Sequence, residues 1–506
     1  MIIKITLLVL FFACMISVGI YSQRKVKSVS DFVLGGRGVG PWLTAFAYGT
    51  SYFSAVVFVG YAGQFGYKYG LSATWIGLGN AIIGSLLAWV VLARRTRIMS
   101  NKLGSNTMPD FFGKRYDSKA IKLAASVISF IFLIPYTASV YKGLSALFEM
   151  AFDIPYEVCV IVMAALTCVY VILGGYMATA INDFIQGLIM LVGIVLVILA
   201  VLNGNGGFIN AVKELAQIPS DIAVTEGQPG AFASFFGPDP INLLGVVVLT
   251  SLGTWGLPQM VHKFYAIKDE KAIKSGTIIS TLFAVVVSGG CYFLGGFARL
   301  YDTEAIRNAA GAIDYDSIVP TMLAKLPDLL VGIVIVLVLS ASMSTLSSLV
   351  LTSSSTLTLD FIDGTIVKEM KDKTKLLLMR IMLVFFVAIS VIIALNPPEF
   401  IAQLMGYSWG ALAGSFLAPF MYGLYMKKVT KLSVWVSFAT GVGVTLTNMI
   451  WKYIASPINA GAITMVLTLI LVPVVSFITP KMKKEKVEEI FTCFDEMKTN
   501  KDKEIK

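Results

Sequence analysis

The chain has 506 residues, of which 57% are hydrophobic and only 14% charged, and its mean hydropathy is +0.80. An average soluble domain carries roughly 25% charge, and a soluble fold of this size could not hide so much apolar surface. That excludes an ordinary soluble enzyme, a disordered chain and a nucleic-acid-binding domain, and it implies a polytopic membrane protein whose formal net charge of +10 resides in its loops.

A bilayer core of about 30 Å takes roughly 20 apolar helical residues to cross. Thirteen such blocks are predicted, at 3–21, 40–66, 71–93, 120–150, 155–173, 178–202, 239–261, 272–298, 326–358, 376–395, 399–425, 432–454 and 458–479. The first has neither a strongly basic leader nor a clear small-residue cleavage site, so it reads as a spanning helix. One set of alternate loops, together with the tail, holds 32 of the 40 Lys and Arg residues. Lys25, Lys263 and Lys368 belong to that set. The opposite set holds seven, and Lys142 lies inside a helix. Basic residues gather on the cytoplasmic side, so the N-terminus is expected outside and the C-terminus inside.

The outer loops at about 203–238 and 299–325 are long, and the rest are short. The five cysteines offer no pair in an outer loop, so no disulfide framework is expected. His262, the only histidine, stands at the inner end of a block and reads as structural or interfacial. Nucleophile sets, metal clusters and phosphate loops are absent from the sequence, which argues against an enzyme. The tail from 481 to 506 is charged and of helical composition, too short for a fused signalling domain.

Polar residues inside apolar blocks are costly and mark functional candidates. Gly49, Thr50, Ser51 and Ser54 cluster mid-way along the second block. Unwinding there would free carbonyls for a cation; close packing of small residues is the alternative. The seventh block carries Ser251-Leu-Gly-Thr-Trp-Gly-Leu-Pro258, again an interrupted helix. The two blocks are five apart and run in opposite directions, as the first helices of two inverted halves would. The expected division is 1–39, an extra helix and first inner loop; 40–202, the first five-helix repeat; and 203–238, an outer loop. It continues with 239–425, the second repeat; 426–480, two extra helices; and 481–506, the tail. The ninth block aligns Ala341, Ser344, Thr345 and Ser348 on one helical stripe with Ser347 beside it. Such hydroxyls and carbonyls suit an alkali cation, or they bond back to their own helix. Asp183, in Asn182-Asp183-Phe-Ile-Gln186, wants a cation, a proton or a basic partner.

These residues resemble the sodium:solute symporter family from Gly35 to about Pro480. The similarity is carried by Gly174-Gly175…Asn182-Asp183…Gln186, Met343-Ser-Thr-Leu-Ser-Ser348 with Asp360, Tyr67-Lys-Tyr-Gly70 and Gly256-Leu-Pro258. The resemblance implies an all-α fold with a leucine-transporter-like five-plus-five inverted repeat and extra helices at both ends. It implies a sodium site made by the carbonyls of Thr50, Phe53 and Ala341 and the hydroxyls of Ser344 and Thr345. Some members hold a second sodium, and the matching positions are Asp183, Ser344, Ser347 and Ser348. The expected substrate set is Ser51, Tyr52, Tyr136, Lys142, Thr254 and Trp255. Tyr136 matches the substrate-side tyrosine of proline-type members, whereas Tyr52, Thr250 and Thr254 depart from their pattern. Tyr67-Lys-Tyr-Gly70, Asn182-Asp183 and Gly256-Leu-Pro258 look closer to the pantothenate and monocarboxylate branches. Lys142 either offsets a substrate carboxylate or snorkels to the outer interface.

The expected protein is thus a sodium-coupled symporter of the cell membrane. It imports a small, carboxylate-bearing organic solute and acts as a monomer in the lipid bilayer. A proton-coupled symporter using Asp183 and a transporter-like sensor are the competing expectations.

Overall fold

A computed structural model describes residues 2–504 apart from 25, 153, 309, 364, 368, 369 and 397–399. Lys25, Lys368, Lys506 and the residue-399 edge of the eleventh block lie outside the described residues. Among those described, the fold is entirely helical, with only isolated β-bridges. Among the described residues nine helices are long and apolar enough to cross a membrane, or ten if the pair Pro240–Gly256 and Pro258–Ala266, bent by 47°, counts as one span.

Each of the predicted blocks overlaps one or more helices, because runs this apolar can satisfy most of their backbone in hydrocarbon only internally. Two helical runs are of double length. Val56–Lys102 has 47 residues and Tyr156–Gly204 has 49, so at 1.5 Å per residue each would extend roughly 70 Å if straight. Each is interrupted by one glycine, Gly70 (φ 61°, ψ −143°) and Gly175 (φ 55°, ψ −146°). This is backbone that essentially only glycine adopts. Space demands glycine as well, since a Cβ on Gly175 would lie 2.7 Å from both the ring and the carbonyl oxygen of Phe32. These interruptions separate the second block from the third and the fifth from the sixth.

The helix of the ninth block, Asp328–Thr356, is buried along nearly its whole length, as is Ile401–Tyr425. By contrast Ile2–Gln23 and Asp372–Leu395 expose Val9, Leu10, Ile381, Val384 and Ile392. Apolar side chains facing outward on peripheral helices are what a lipid-facing belt requires.

Two expectations need correction. The basic residues Arg94, Arg95, Arg97 and Lys102 stand on a continuing helix, Arg94–Lys102, and not in a loop. Lys263, read as an inner-loop residue, is 1% exposed within Pro258–Ala266. A charge beside the end of an apolar run reads as interfacial; here the helix instead re-enters the protein after the bend. His262 is buried next to it, its ring 5.5 Å from that of Tyr176.

Candidate functional site

The second block breaks where its small polar residues stand. Pro41–Thr50 ends, residues 51–54 leave the helix, and helical geometry resumes at Val56–Tyr61. The backbone groups released there need partners. The hydroxyls of Asp328–Thr356 supply them. The Ser342 hydroxyl accepts from the Ala55 N–H at 3.1 Å. Ser344 Oγ donates towards the carbonyls of Thr50 (3.0 Å) and Ala341 (3.1 Å). Thr345 Oγ1 lies 3.3 Å from the Thr50 carbonyl, 3.1 Å from that of Phe53 and 3.1 Å from that of Ala341.

Thr50, Phe53, Ala341, Ser344 and Thr345 are therefore brought together, all buried. Five neutral, hard oxygens converge on one point with no carboxylate among them. Such a set fits a weakly held alkali cation: the two hydroxyls now satisfy the carbonyls, and on ion entry they can turn their lone pairs inward.

Ser347 and Ser348 follow on the same helix, and Asp183 stands on Tyr156–Gly204. Ser347 donates back to the Ser344 carbonyl at 2.9 Å. Ser348 Oγ is 2.9 Å from Ser51 Oγ, which itself bonds to the Ala47 carbonyl. Asp183 is fully buried and pairs with the Lys263 ammonium at 3.8 Å. That ammonium also donates to Ser348 Oγ at 3.0 Å and stands 5.1 Å from the Tyr176 ring centre. Lys263 was missed because its partners lie 80 and more residues away in the chain.

Of the substrate set, Tyr52, Thr254 and Trp255 gather on one stretch of a third helix. Tyr52 OH donates to the Asn80 carbonyl (3.3 Å), Thr254 Oγ1 to that of Gly84 (3.1 Å) and Trp255 Nε1 to that of Ile83 (2.9 Å). That stretch, Asn80–Leu87, is wound as a π-helix, a form that recurs at functional sites. Asn80 also links Ser251 (3.1 Å) to Ser288 (3.1 Å). It is a further site residue that no sequence motif marked.

Tyr136 packs edge-on against Trp409 at 5.8 Å, and neither the Tyr136 hydroxyl nor the Trp409 indole N–H has a hydrogen-bond partner. Lys142 is placed apart from these groups: its ammonium pairs with Asp316 at 2.7 Å. Burial pushes the Asp316 carboxyl above the usual carboxylate range, and the Lys142 ammonium limits that rise.

Charged side chains line cavities away from the break. One of about 550 Å³ is lined by Gln64, Tyr67, Lys68, Arg299 and Gln403. Another, about 500 Å³, is lined by Thr107, Asp110, Lys122 and Asp360. There the Asp360 carboxylate accepts from Thr107 at 2.5 Å and pairs with Lys122 at 3.2 Å, and Lys122 also holds Asp110 at 3.0 Å.

Comparison with known proteins identifies the family. The profile of the sodium:solute symporter family matches residues 32–441. The osmoregulated proline transporter OpuE of Bacillus subtilis (strain 168) is 27% identical over 493 residues, covering 96% of each chain. A sodium/proline symporter of Staphylococcus aureus (strain JH9) is 29% identical over 501 residues, with 95% of this chain and 92% of the relative covered. Among solved structures, a Na+-coupled sialic acid symporter in a substrate-bound outward-open state superposes with a TM-score of 0.74 at 17% identity, over 95% of this chain and 99% of that one. Mhp1, a nucleobase-cation-symport-1 family transporter, superposes with a TM-score of 0.54 at 11% identity, over 91% and 97%. At such identities these two likenesses speak to the fold alone. With the family profile spanning most of the chain and full-length relatives that are transporters, this protein is a multi-pass membrane protein that belongs to the sodium:solute symporter family, and it is not an enzyme.

Proposed function

We propose that this symporter couples one inward-moving sodium ion, held by Thr50, Phe53, Ala341, Ser344 and Thr345, to import of a small carboxylate-bearing solute across the cell membrane. The solute class is amino-acid-like, monocarboxylate or pantothenate-type. The observation that carries the reading is the convergence of Ser344 and Thr345 on three carbonyls at a helix break. An ion there ties Asp328–Thr356 to the broken helix and shapes the neighbouring pocket, so solute binds best to the sodium-loaded state. The inward potential adds about 2.3 kcal/mol per net charge for each 100 mV.

For the solute we assign Ser51, Tyr52, Tyr136, Thr254 and Trp255, joined by Trp409. The unpartnered hydroxyl of Tyr136 and N–H of Trp409 support this, since buried polar atoms without partners are uncommon. Lys142, already engaged by Asp316, is left out. The proline transporters among the relatives favour the amino-acid-like member of the class.

The same reading takes thirteen crossings, N-terminus outside and C-terminus inside, with repeats at 40–202 and 239–425. The lopsided lysine and arginine distribution and the glycine interruptions of the two double-length helices support it. One chain carries every assigned residue, which supports a monomer as the working unit.

Uptake of radiolabelled proline, pyruvate and pantothenate into proteoliposomes, driven by a sodium gradient and compared with choline at fixed pH, tests the proposal. Accumulation of one of them only with sodium is expected. Accumulation that follows a proton gradient and ignores sodium would overturn the coupling ion and move the task to Asp183.

A further inference from the structure

We infer that Lys263 is a tethered cation occupying the position of the second sodium site, so that this transporter binds one sodium ion and not two; this rests on the sodium-coupled reading above. Two of the positions that would ligate a second ion, Asp183 and Ser348, are the two that hold the ammonium, at 3.8 Å and 3.0 Å. Both charged side chains are buried, Lys263 at 1% exposure and Asp183 at 0%. Neither Asp183 oxygen takes a hydrogen bond, so its counter-charge among the described residues is that one ammonium. A buried carboxylate needs compensation, and a single cation supplies it. Sodium added beside the ammonium would set two cations against one carboxylate at a buried site, where repulsion is weakly screened.

The hydroxyl protons are ordered to suit the lysine. An ammonium only donates, so Ser348 Oγ accepts from it and passes its own proton to Ser51 Oγ, 2.9 Å away, and Ser51 donates to the Ala47 carbonyl. The chain of donors runs from Pro258–Ala266 through Asp328–Thr356 to Pro41–Thr50. It joins the two broken helices through the serine-rich helix. Lys263 thus does permanently, from its own backbone, what a bound ion would do transiently.

Equilibrium binding of 22Na+ to the purified full chain in detergent, without solute, tests this. One ion per wild-type chain is expected, and two for Lys263→Ala, where the vacated carboxylate and hydroxyls become available. Lys263→Ala with Asp183→Asn should return to one. The unfolding temperature of Lys263→Ala should rise on exchanging choline for sodium by more than that of the wild type. Two ions per wild-type chain, or no gain in Lys263→Ala, overturns the tether. Should the variant not fold, the wild-type count alone decides. The coupling site is read separately: Thr345→Ala should remove one ion from either background. A wild-type count of zero with a gain of one in Lys263→Ala would sink the first site and leave the tether standing.

Discussion

Ser344 and Thr345 show how much chemistry two hydroxyls can organise. Each lies within hydrogen-bond distance of carbonyls from both its own helix and the break opposite. Removing one such oxygen from a cation's shell should cost about 1.5–3 kcal/mol, as for other interactions with a charged group, or roughly ten- to a hundredfold in affinity. Ser344→Ala and Thr345→Ala are therefore expected to raise the sodium concentration for half-maximal uptake by that factor, with solute affinity at saturating sodium little changed. Sodium dependence that stays put in both variants would remove these residues from the site. The stripe was legible because residues spaced three and four apart share a helix face, so sequence alone brings Ala341, Ser344, Thr345 and Ser348 together. Lys263 and Asn80 were not legible. Their partners, Asp183, Ser251 and Ser288, are distant in sequence, and no local pattern encodes a pairing between separate helices.

At the scale of the element, the helix breaks carry the design. The polar cluster at 49–54 breaks the second block because its released backbone groups find hydroxyl partners on Asp328–Thr356. The two double-length runs end their first halves at Gly70 and Gly175 for a different reason, a backbone conformation closed to other residues. Gly175→Ala and Gly70→Ala should each cost about 1–3 kcal/mol from the backbone alone. Overlap with Phe32 or with the Phe232 backbone, whose atoms would lie within 2.7 Å of the added Cβ, increases that cost. Gly443→Ala serves as the control: its Cβ meets nothing within 4 Å, and alanine is the better helix former by about 1 kcal/mol. Thermal unfolding in detergent should separate the two groups. Equal effects in all three variants would show that the interruptions are incidental. The Gly174-Gly175 motif was visible in the sequence as a signature, but its reason, the turn against Phe32, required the neighbouring chain.

At the scale of the molecule, the tail proves to be a docked part and not a solvated strand of charge. Its helix, Lys484–Glu504, sets Phe491 5.1 Å from the Arg115 guanidinium and Phe494 4.5 Å from that of Arg95. Lys486 pairs with Asp117 at 2.8 Å, and its hydrogen bond holds the Asp117 carboxyl below the usual carboxylate range. A folded-state pKa below the unfolded one adds stability that is present above the ordinary carboxylate pKa of about 3.9 and is lost as pH falls through the folded value. The pair is half exposed and worth at most about 1 kcal/mol. Hydrogen-exchange protection of residues 484–495 is therefore expected to hold steady at neutral pH, and to fall modestly in acid or high salt. In Asp117→Asn that sensitivity should vanish while the aromatic contacts keep the helix docked. Protection that is independent of Asp117 under every condition would refute the latch.

What the amino-acid sequence determined unaided is whatever depends on near neighbours in the chain. Apolar runs must be helices in hydrocarbon, small polar clusters weaken a helix at 49–54 and 251–258, and spaced hydroxyls share a face. Tertiary structure alone decided what depends on apposition. It turned Lys263 inward onto Asp183, gathered Tyr52, Thr254 and Trp255 on Asn80–Leu87, paired Lys142 with Asp316, and docked the tail. A buried charge or an unwound carbonyl must find a partner, and which partner it finds is set by how helices far apart in the chain pack against one another.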